Sequence, residues 1–279
     1  MPRQSNFVPD EKMQEVVATG QDALRFHTIT ESGFVLENGA TPERLGFGGR
    51  IRFRTDSGRL MLRFVLAPIA CLAYPSQTYQ GTCGFDLYVG SPGHERYYYT
   101  TRTTQPAGEF ELVHQHDKPN EGFREFTLNL PLFATVTRLE IGLEPAATVK
   151  APTRLSARPV ALLGGELAQG RCASRPGMSL GNQLARLLKR PVVTGDKPAA
   201  LSQSNCDIVI ILPDPDEETT RKNMYKSLNT NNLYIFSWRR ARKFLGNDAD
   251  VCFTDAKHLN DLGFQRLAEH LAQFIQEQS

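Results

Sequence analysis

Glu166, Asp255 and His258 offer two carboxylates and an imidazole, the residue types needed to hold a divalent cation or to act as an acid–base pair on a non-ester substrate. The plain alternative is a structural ion pair between Glu166 and a charged His258, and D-x-x-H on its own is also an ordinary polar-loop pattern. His114 and His116 share one face of an expected strand but have no visible third ligand, so no metal is assigned to them. The run Trp238-Arg239-Arg240-Ala241-Arg242-Lys243 has the charge to hold a phosphate or a sulfated sugar, against the simpler reading of a solvated loop or helix face. Tyr97-Tyr98-Tyr99 could stack on a sugar, although alternate tyrosines of a strand ordinarily pack on a core.

Composition removes several classes of function. A chain of 279 residues that is 40% apolar buries a sizeable core and divides into two domains of ordinary size. With 32 basic and 30 acidic residues the net charge is +2, too slight to argue for nucleic acid or an anionic membrane as partner. Met1 to Gln14 is polar and lacks the apolar stretch of a secretory signal, and no run is long enough to span a bilayer. A cytoplasmic location is the expectation. The five cysteines, Cys71, Cys83, Cys172, Cys206 and Cys252, show no metal spacing and read as buried or free thiols.

From Gly46 to about Glu144 the chain alternates polar and apolar residues. Arg50–Arg54, Glu109–Val113, Glu125–Leu130 and Arg138–Leu143 each have period two, which implies strands with one wet and one buried face. Gly58, Gly90, Pro92-Gly93, Pro106-Ala107-Gly108 and Pro119-Asn120 punctuate them as turns. Residues 1–145 are therefore expected to form an antiparallel, jelly-roll-like β-sandwich, with residues 1–20 expected to be flexible. Residues 146–159, rich in proline and small residues, read as a linker.

Residues 160–279 alternate short apolar runs with amphipathic stretches, the pattern of a flavodoxin-like three-layer α/β domain. Strands are expected at Val160–Leu163, Val192–Val193, Ile208–Leu212, Leu233–Phe236 and Val251–Phe253. Ser174 is the expected cap of a helix with Pro176 in its first turn and a stripe of Met178, Gly181, Leu184, Leu187 and Leu188. Asp261 is the expected cap of the last helix, whose Phe264, Leu267, Leu271, Phe274 and Ile275 recur at core-forming spacing.

Three segments carry a family resemblance. Gly164-Gly165-Glu166-Leu167-Ala168-Gln169-Gly170, followed by Cys172-Ala173-Ser174-Arg175-Pro176-Gly177, resembles the nucleophile loop of SGNH (GDSL-type) hydrolases, with Glu166 where that family keeps its serine. Asp255–Arg266 resembles the family's last block, in which D-x-x-H supplies the orienting acid and the base. Gly84-Phe85-Asp86-Leu87-Tyr88 resembles the G-x-D-L-Y signature of the sandwich that precedes a subset of these enzymes, and Phe53–Ser57 suits the same domain.

The resemblance implies His258 as base, Asp255 as its orienting carboxylate, and strand ends that bring both beside the loop after Leu163. It also implies losses. A carboxylate is a far weaker nucleophile than an activated hydroxyl, so Glu166 does not replace serine. Asp214, in Leu212-Pro213-Asp214-Pro215, stands where relatives carry L-P-N and turns an oxyanion donor into a repelling acceptor. Gly195 is the remnant of the glycine block, with a shorter stretch before Asp207 than the family uses.

The implied protein is a degenerate hydrolase that binds a small-molecule or carbohydrate ligand, or a protein partner, through the old cleft. Gln169, Ser174 and Arg175 are its candidate ligand-binding residues, and no cofactor is implied. The alternatives are an esterase or acyltransferase acting on an acylated carbohydrate or small metabolite with Ser174 as substitute nucleophile, and the Glu/Asp/His site of metal or acid–base chemistry.

Overall fold

The computed structural model describes residues 24–67, 76–101, 107–113, 122–155, 157–195, 206–212, 232–255 and 257–278. His114, His116 and Asp214 lie outside them, as does the Pro119-Asn120 turn. Two antiparallel sheets come first in the chain. Their strands are β1 (Arg25–Thr28), β2 (Val35–Glu37), β3 (Leu45–Gly46), β4 (Arg50–Thr55), β5 (Leu60–Leu66), β6 (Asp86–Val89), β7 (Arg96–Thr100), β8 (Ala107–Val113), β9 (Arg124–Asn129), β10 (Thr135–Leu143) and β11 (Val149–Lys150). One sheet has the order β1-β10-β5-β8 with β3 on β10; the other has the order β11-β4-β9-β6-β7 with β2 on β4. A short helix, α1 (Tyr79–Cys83), stands between β5 and β6, its first turn capped by Thr78 Oγ1 accepting from Gly81 N at 2.9 Å.

Period two does the work expected of it on the inner faces. Ile51, Phe53, Phe126 and Leu128 from one sheet meet Leu62, Phe64, Leu139 and Ile141 from the other in a single apolar cluster. The outer face of the second sheet departs from expectation, because it is not wet. Arg50, Arg52, Thr127, Asn129 and Asp86 are all at most 2% exposed. Glu37 pairs with Arg50 at 2.7 Å and with Arg52 at 2.9 Å, and Glu125 takes the other side of Arg52, so the buried charges are matched. Part of what covers this face is the α/β portion: Arg175 reaches Asp86, and Asn38 pairs with Asn182 at 3.0 Å and accepts from Val192 N at 2.8 Å.

Two smaller expectations also change. Ala107 and Gly108 are not a turn but the first residues of β8, opposite Val65 and Phe64. Within residues 146–159, β11 pairs with β4, and Thr153 Oγ1 donates to Glu125 at 2.7 Å, so this segment is stitched to the sandwich.

The second portion holds one parallel sheet of β12 (Val160–Gly164), β13 (Val192–Gly195), β14 (Ile208–Leu212) and β15 (Leu233–Ile235), in the order β13-β12-β14-β15. Counted from β12 this is 2-1-3-4, the order of doubly wound flavodoxin-like sheets. The central strands are apolar throughout, as strands covered on both faces must be; every residue of β12 and β14 is buried. The helices are α2 (Glu166–Gln169), α3 (Leu180–Leu188), α4 (Trp238–Lys243) and α5 (Asp261–Gln278). Leu180 and Leu184 of α3 and Phe264, Leu267, Leu271 and Ile275 of α5 pack on one face of the sheet, whereas Leu187, expected in the apolar stripe, is 42% exposed and off the buried face. None of the described helices is long and apolar enough to cross a membrane.

Val251–Phe253 is not a strand. Residues Ala249–Cys252 form a 3-10 turn, and Asn260 claims the carbonyls that a neighbouring strand would use: its N donates to Cys252 O at 2.9 Å and its Nδ2 to Val251 O at 2.8 Å. Val251, 55% exposed, has no face to bury, which period-two reasoning does not reveal.

Candidate functional site

The site lies at the C-terminal ends of the parallel strands. Leu163 is in register with Gly195, and Gly164 with Leu212, so the C-terminal ends of β12, β13 and β14 lie side by side. Gly164 has no alternative: a Cβ there would lie 2.1 Å from Leu212 O. The chain then turns through Gly165 and enters α2 at Glu166, with the helix closed by Gly170 at φ 83°. Cys172 follows at φ 69°, a left-handed conformation that a non-glycine residue adopts at a cost.

His258 and Asp255 come from the segment before α5. His258 Nδ1 lies 2.7 Å from Asp255 Oδ2, and its other ring nitrogen, Nε2, lies 3.2 Å from Glu166 Oε2. The three residues that sequence singled out are therefore in one line: carboxylate, imidazole, carboxylate. Burial opposes ionisation of Asp255, but the backbone N–H groups of Lys257 and His258, the His258 ring and the Ser76 hydroxyl together hold its carboxyl well below the usual range. Arg171 extends the line, its Nε 2.8 Å from Glu166 Oε1, its Nη1 donating to Gln77 Oε1 at 3.2 Å, and its guanidinium 4.5 Å above the Phe133 ring.

Other expected site residues are placed differently. Ser174 is not a helix cap: it is exposed, its N and Oγ both donate to the Asp261 carboxylate, at 2.9 and 2.5 Å, and α3 is capped by Ser179 instead. Asp261 is in turn not the cap of α5, because Asn260 Oδ1 accepts from Gly263 N at 3.0 Å and the Asp261 carboxylate is engaged with Ser174. Pro176 begins a separate 3-10 turn, Pro176–Met178. Arg175 faces the sandwich, 2.7 Å from Asp86, with Tyr88 Oη accepting from it at 2.6 Å. Gln169 ends α2 and is half-buried; Gly195 ends β13.

Sequence reasoning missed Ser76, Gln77 and Arg171. Ser76 Oγ donates to Asp255 Oδ2 at 2.9 Å and lies 3.3 Å from Cys172 Sγ. Ser76 and Gln77 belong to no motif, whereas Arg171 stood inside the loop already singled out. Cys172, Asp255 and His258 offer donor atoms within 4.8 Å of one another. Asp255 already accepts from the imidazole, Ser76 and two backbone N–H groups, and burial pushes the Cys172 thiol up, so these groups serve one another before any ion. The described cysteines, Cys83, Cys172, Cys206 and Cys252, are free thiols.

The tyrosines and the basic run have structural settings. Tyr99 packs toward the sandwich core, while Tyr97 is 48% exposed with the Arg175 guanidinium 3.9 Å from its ring. The basic run forms α4, where Arg240 covers Phe236 at 4.5 Å and Arg242 pairs with Asp250 at 3.1 Å.

Comparison with known proteins fits this geometry. Residues 43–149 match the family described as the GxDLY N-terminus of SGNH-hydrolase-type esterases. No curated protein matches the chain at a significant level. Among solved structures, a GDSL-like lipase from Bacteroides ovatus is similar with a TM-score of 0.72 at 20% identity, over 91% of this chain and 97% of that one. A salicylyl-acyltransferase from a tetracycline biosynthetic pathway is similar with a TM-score of 0.66 at 15% identity, over 91% and 97%. A family two carbohydrate esterase from Cellvibrio japonicus is similar with a TM-score of 0.59 at 10% identity, over 92% and 98%. Residues 43–149 thus match the GxDLY N-terminal domain of SGNH-hydrolase-type esterases, and the chain is similar in overall fold to a GDSL-like lipase and a carbohydrate esterase.

Proposed function

We propose that this chain is a catalytically degenerate relative of those esterases that binds a carbohydrate through the former active-site cleft. In this reading Glu166 stands in the nucleophile position, and His258 and Asp255 persist as a pair without a hydroxyl to activate. The observation that carries it is the 3.2 Å contact between His258 Nε2 and Glu166 Oε2, which gives the proton-accepting edge of the imidazole to a carboxylate. Arg171 on Glu166 Oε1 supports the same view, because a carboxylate already engaged by a guanidinium and an imidazole is a poor nucleophile.

The esterase alternative needs Ser174 turned toward His258. Its hydroxyl is engaged instead with Asp261, at 2.5 Å, which counts against that alternative. The metal and acid–base alternative competes with a line of groups that are already mutually bonded. The carbohydrate assignment draws support from the similar fold of a family two carbohydrate esterase from Clostridium thermocellum whose structure is a complex with cellohexaose, with a TM-score of 0.55 at 10% identity over 88% of this chain and 99% of that one.

Isothermal titration of the full chain with cello- and xylo-oligosaccharides, plain and acetylated, tests the proposal. Saturable binding tighter than about 1 mM is expected, weakened about tenfold in Glu166→Ala by loss of a carboxylate acceptor for a sugar hydroxyl, without release of acetate. Absence of binding, or steady acetate release by the wild type, would overturn it.

A further inference from the structure

One short segment of the sandwich reaches the site and the loop beside it at several points. Ser76 donates to Asp255 at 2.9 Å, Gln77 accepts from Arg171 at 3.2 Å, and Thr78 Oγ1 donates to Ser174 O at 2.8 Å. Gly81 of α1 comes so close to the loop that a Cβ would lie 2.2 Å from Ala173 O. The last contacts belong to the G-x-D-L-Y signature itself. Asp86, fully buried, accepts from Arg175 Nη1 at 2.7 Å and from Gly177 N at 2.9 Å, and Tyr88 Oη accepts from Arg175 at 2.6 Å.

The receiving side is shaped to match. A Cβ at Gly177 would lie 2.6 Å from Tyr88 Oη and 2.7 Å from Asp86 Oδ2, so glycine is required by the approach of the signature residues. The loop they hold is one that would not stay put alone, since it contains Cys172 in a left-handed conformation and only short helical turns. From the α/β side Asp261 holds it through Ser174, Asn182 Nδ2 donates to Pro176 O at 3.1 Å, Arg186 Nη2 donates to Gly177 O at 2.8 Å, and Glu166 pairs with Arg171.

We propose that residues 76–88 of the sandwich are a template that holds the 171–177 loop in place, and that Asp86 and Tyr88 of the G-x-D-L-Y signature are its clamp. The sandwich is then one wall of the cleft and not an independent binding module. Its chemistry is a buried carboxylate and a phenol oxygen that together satisfy one arginine and one backbone N–H. The proposal does not depend on which ligand the cleft takes.

Cys172 reports on the clamp directly, because the residue is 6% exposed and sits four residues before Pro176, whereas Cys252, fully buried in the α/β core, reports on global opening. Alkylation of the full native chain, read per cysteine by peptide mass spectrometry, separates the two. In Asp86→Asn, labelling of Cys172 is expected to rise at least about tenfold with Cys252 unchanged, as the loop opens without unfolding of the core. In Tyr88→Phe, which keeps the ring and removes one bond to Arg175, a rise of about threefold is expected at the same thiol. A Cys172 rate within about twofold of the parent in both variants, or a parallel rise at Cys172 and Cys252, would overturn the clamp; should Asp86→Asn fail to fold, Tyr88→Phe alone decides between these outcomes.

Discussion

Replacing Glu166 by serine is expected to give a chain that fluorophosphonate probes label at residue 166. The physical basis is that the rest of the relay is already assembled: Asp255 holds His258 Nδ1 at 2.7 Å, and Nε2 points at residue 166. Removing the carboxylate also frees the imidazole edge that it occupies, so a hydroxyl there has a base to take its proton. If Asp214 stands at the oxyanion position that the resemblance implies, turnover of acetyl esters is expected to follow only weakly, roughly 10²–10³-fold below that of an intact centre. Labelling that stays absent in Glu166→Ser would mean that the 164–170 loop does not present residue 166 as the family loop does.

The second large effect is on stability. Gly164→Ala is expected to destabilise the fold by roughly 3 kcal/mol, the upper range for overpacking, because the added methyl meets the backbone carbonyl of Leu212 at 2.1 Å and Ala168 Cβ at 3.0 Å. Neither neighbour is a flexible side-chain end. The two central strands must part for the methyl to fit, and in a chain of this size that corresponds to a fall in Tm of roughly 6–12 °C. Gly122→Ala is the useful comparison, since a Cβ there meets nothing within 4 Å and only its φ of 75° is unfavourable, worth about 1 kcal/mol. Equal losses in the two variants, read by thermal denaturation, would show that the approach of Gly164 to β14 is not what makes glycine necessary.

Much of this was legible in the sequence because it depends on local period and local motif. Arg50–Arg54 announced a strand by alternation, Val160–Leu163 and Ile208–Leu212 announced buried parallel strands by unbroken apolarity, and the pairing of Asp255 with His258 came from the resemblance of their segment to a family's last block. What alternation does not say is what covers the polar side. Arg50, Arg52, Thr127 and Asn129 read as a wet face, but Glu37, Glu125 and the α/β portion bury them, a tertiary choice with no local signature.

The capping errors have a related cause. Ser174 and Asp261 are both good caps by residue type, and each would satisfy a helix end; instead they satisfy one another across 87 positions, and Ser179 and Asn260 cap the helices. Ser76 and Gln77 carried no signal, because nothing in their immediate sequence says that they face a carboxylate and a guanidinium from the other half of the chain. The G-x-D-L-Y residues were visible as a pattern, yet their task became clear only with Arg175 and Gly177 against them.

The central claim is that the Glu166, His258 and Asp255 line keeps the form of a hydrolase centre without its attacking atom. Treatment of the wild-type chain with a fluorophosphonate probe, followed by mass spectrometry of every serine peptide, tests it most directly. The account predicts no serine adduct, with neither Ser174 nor Ser76 modified, since the first is engaged with Asp261 and the second with Asp255. A stoichiometric adduct on either hydroxyl would show a working nucleophile and contradict it.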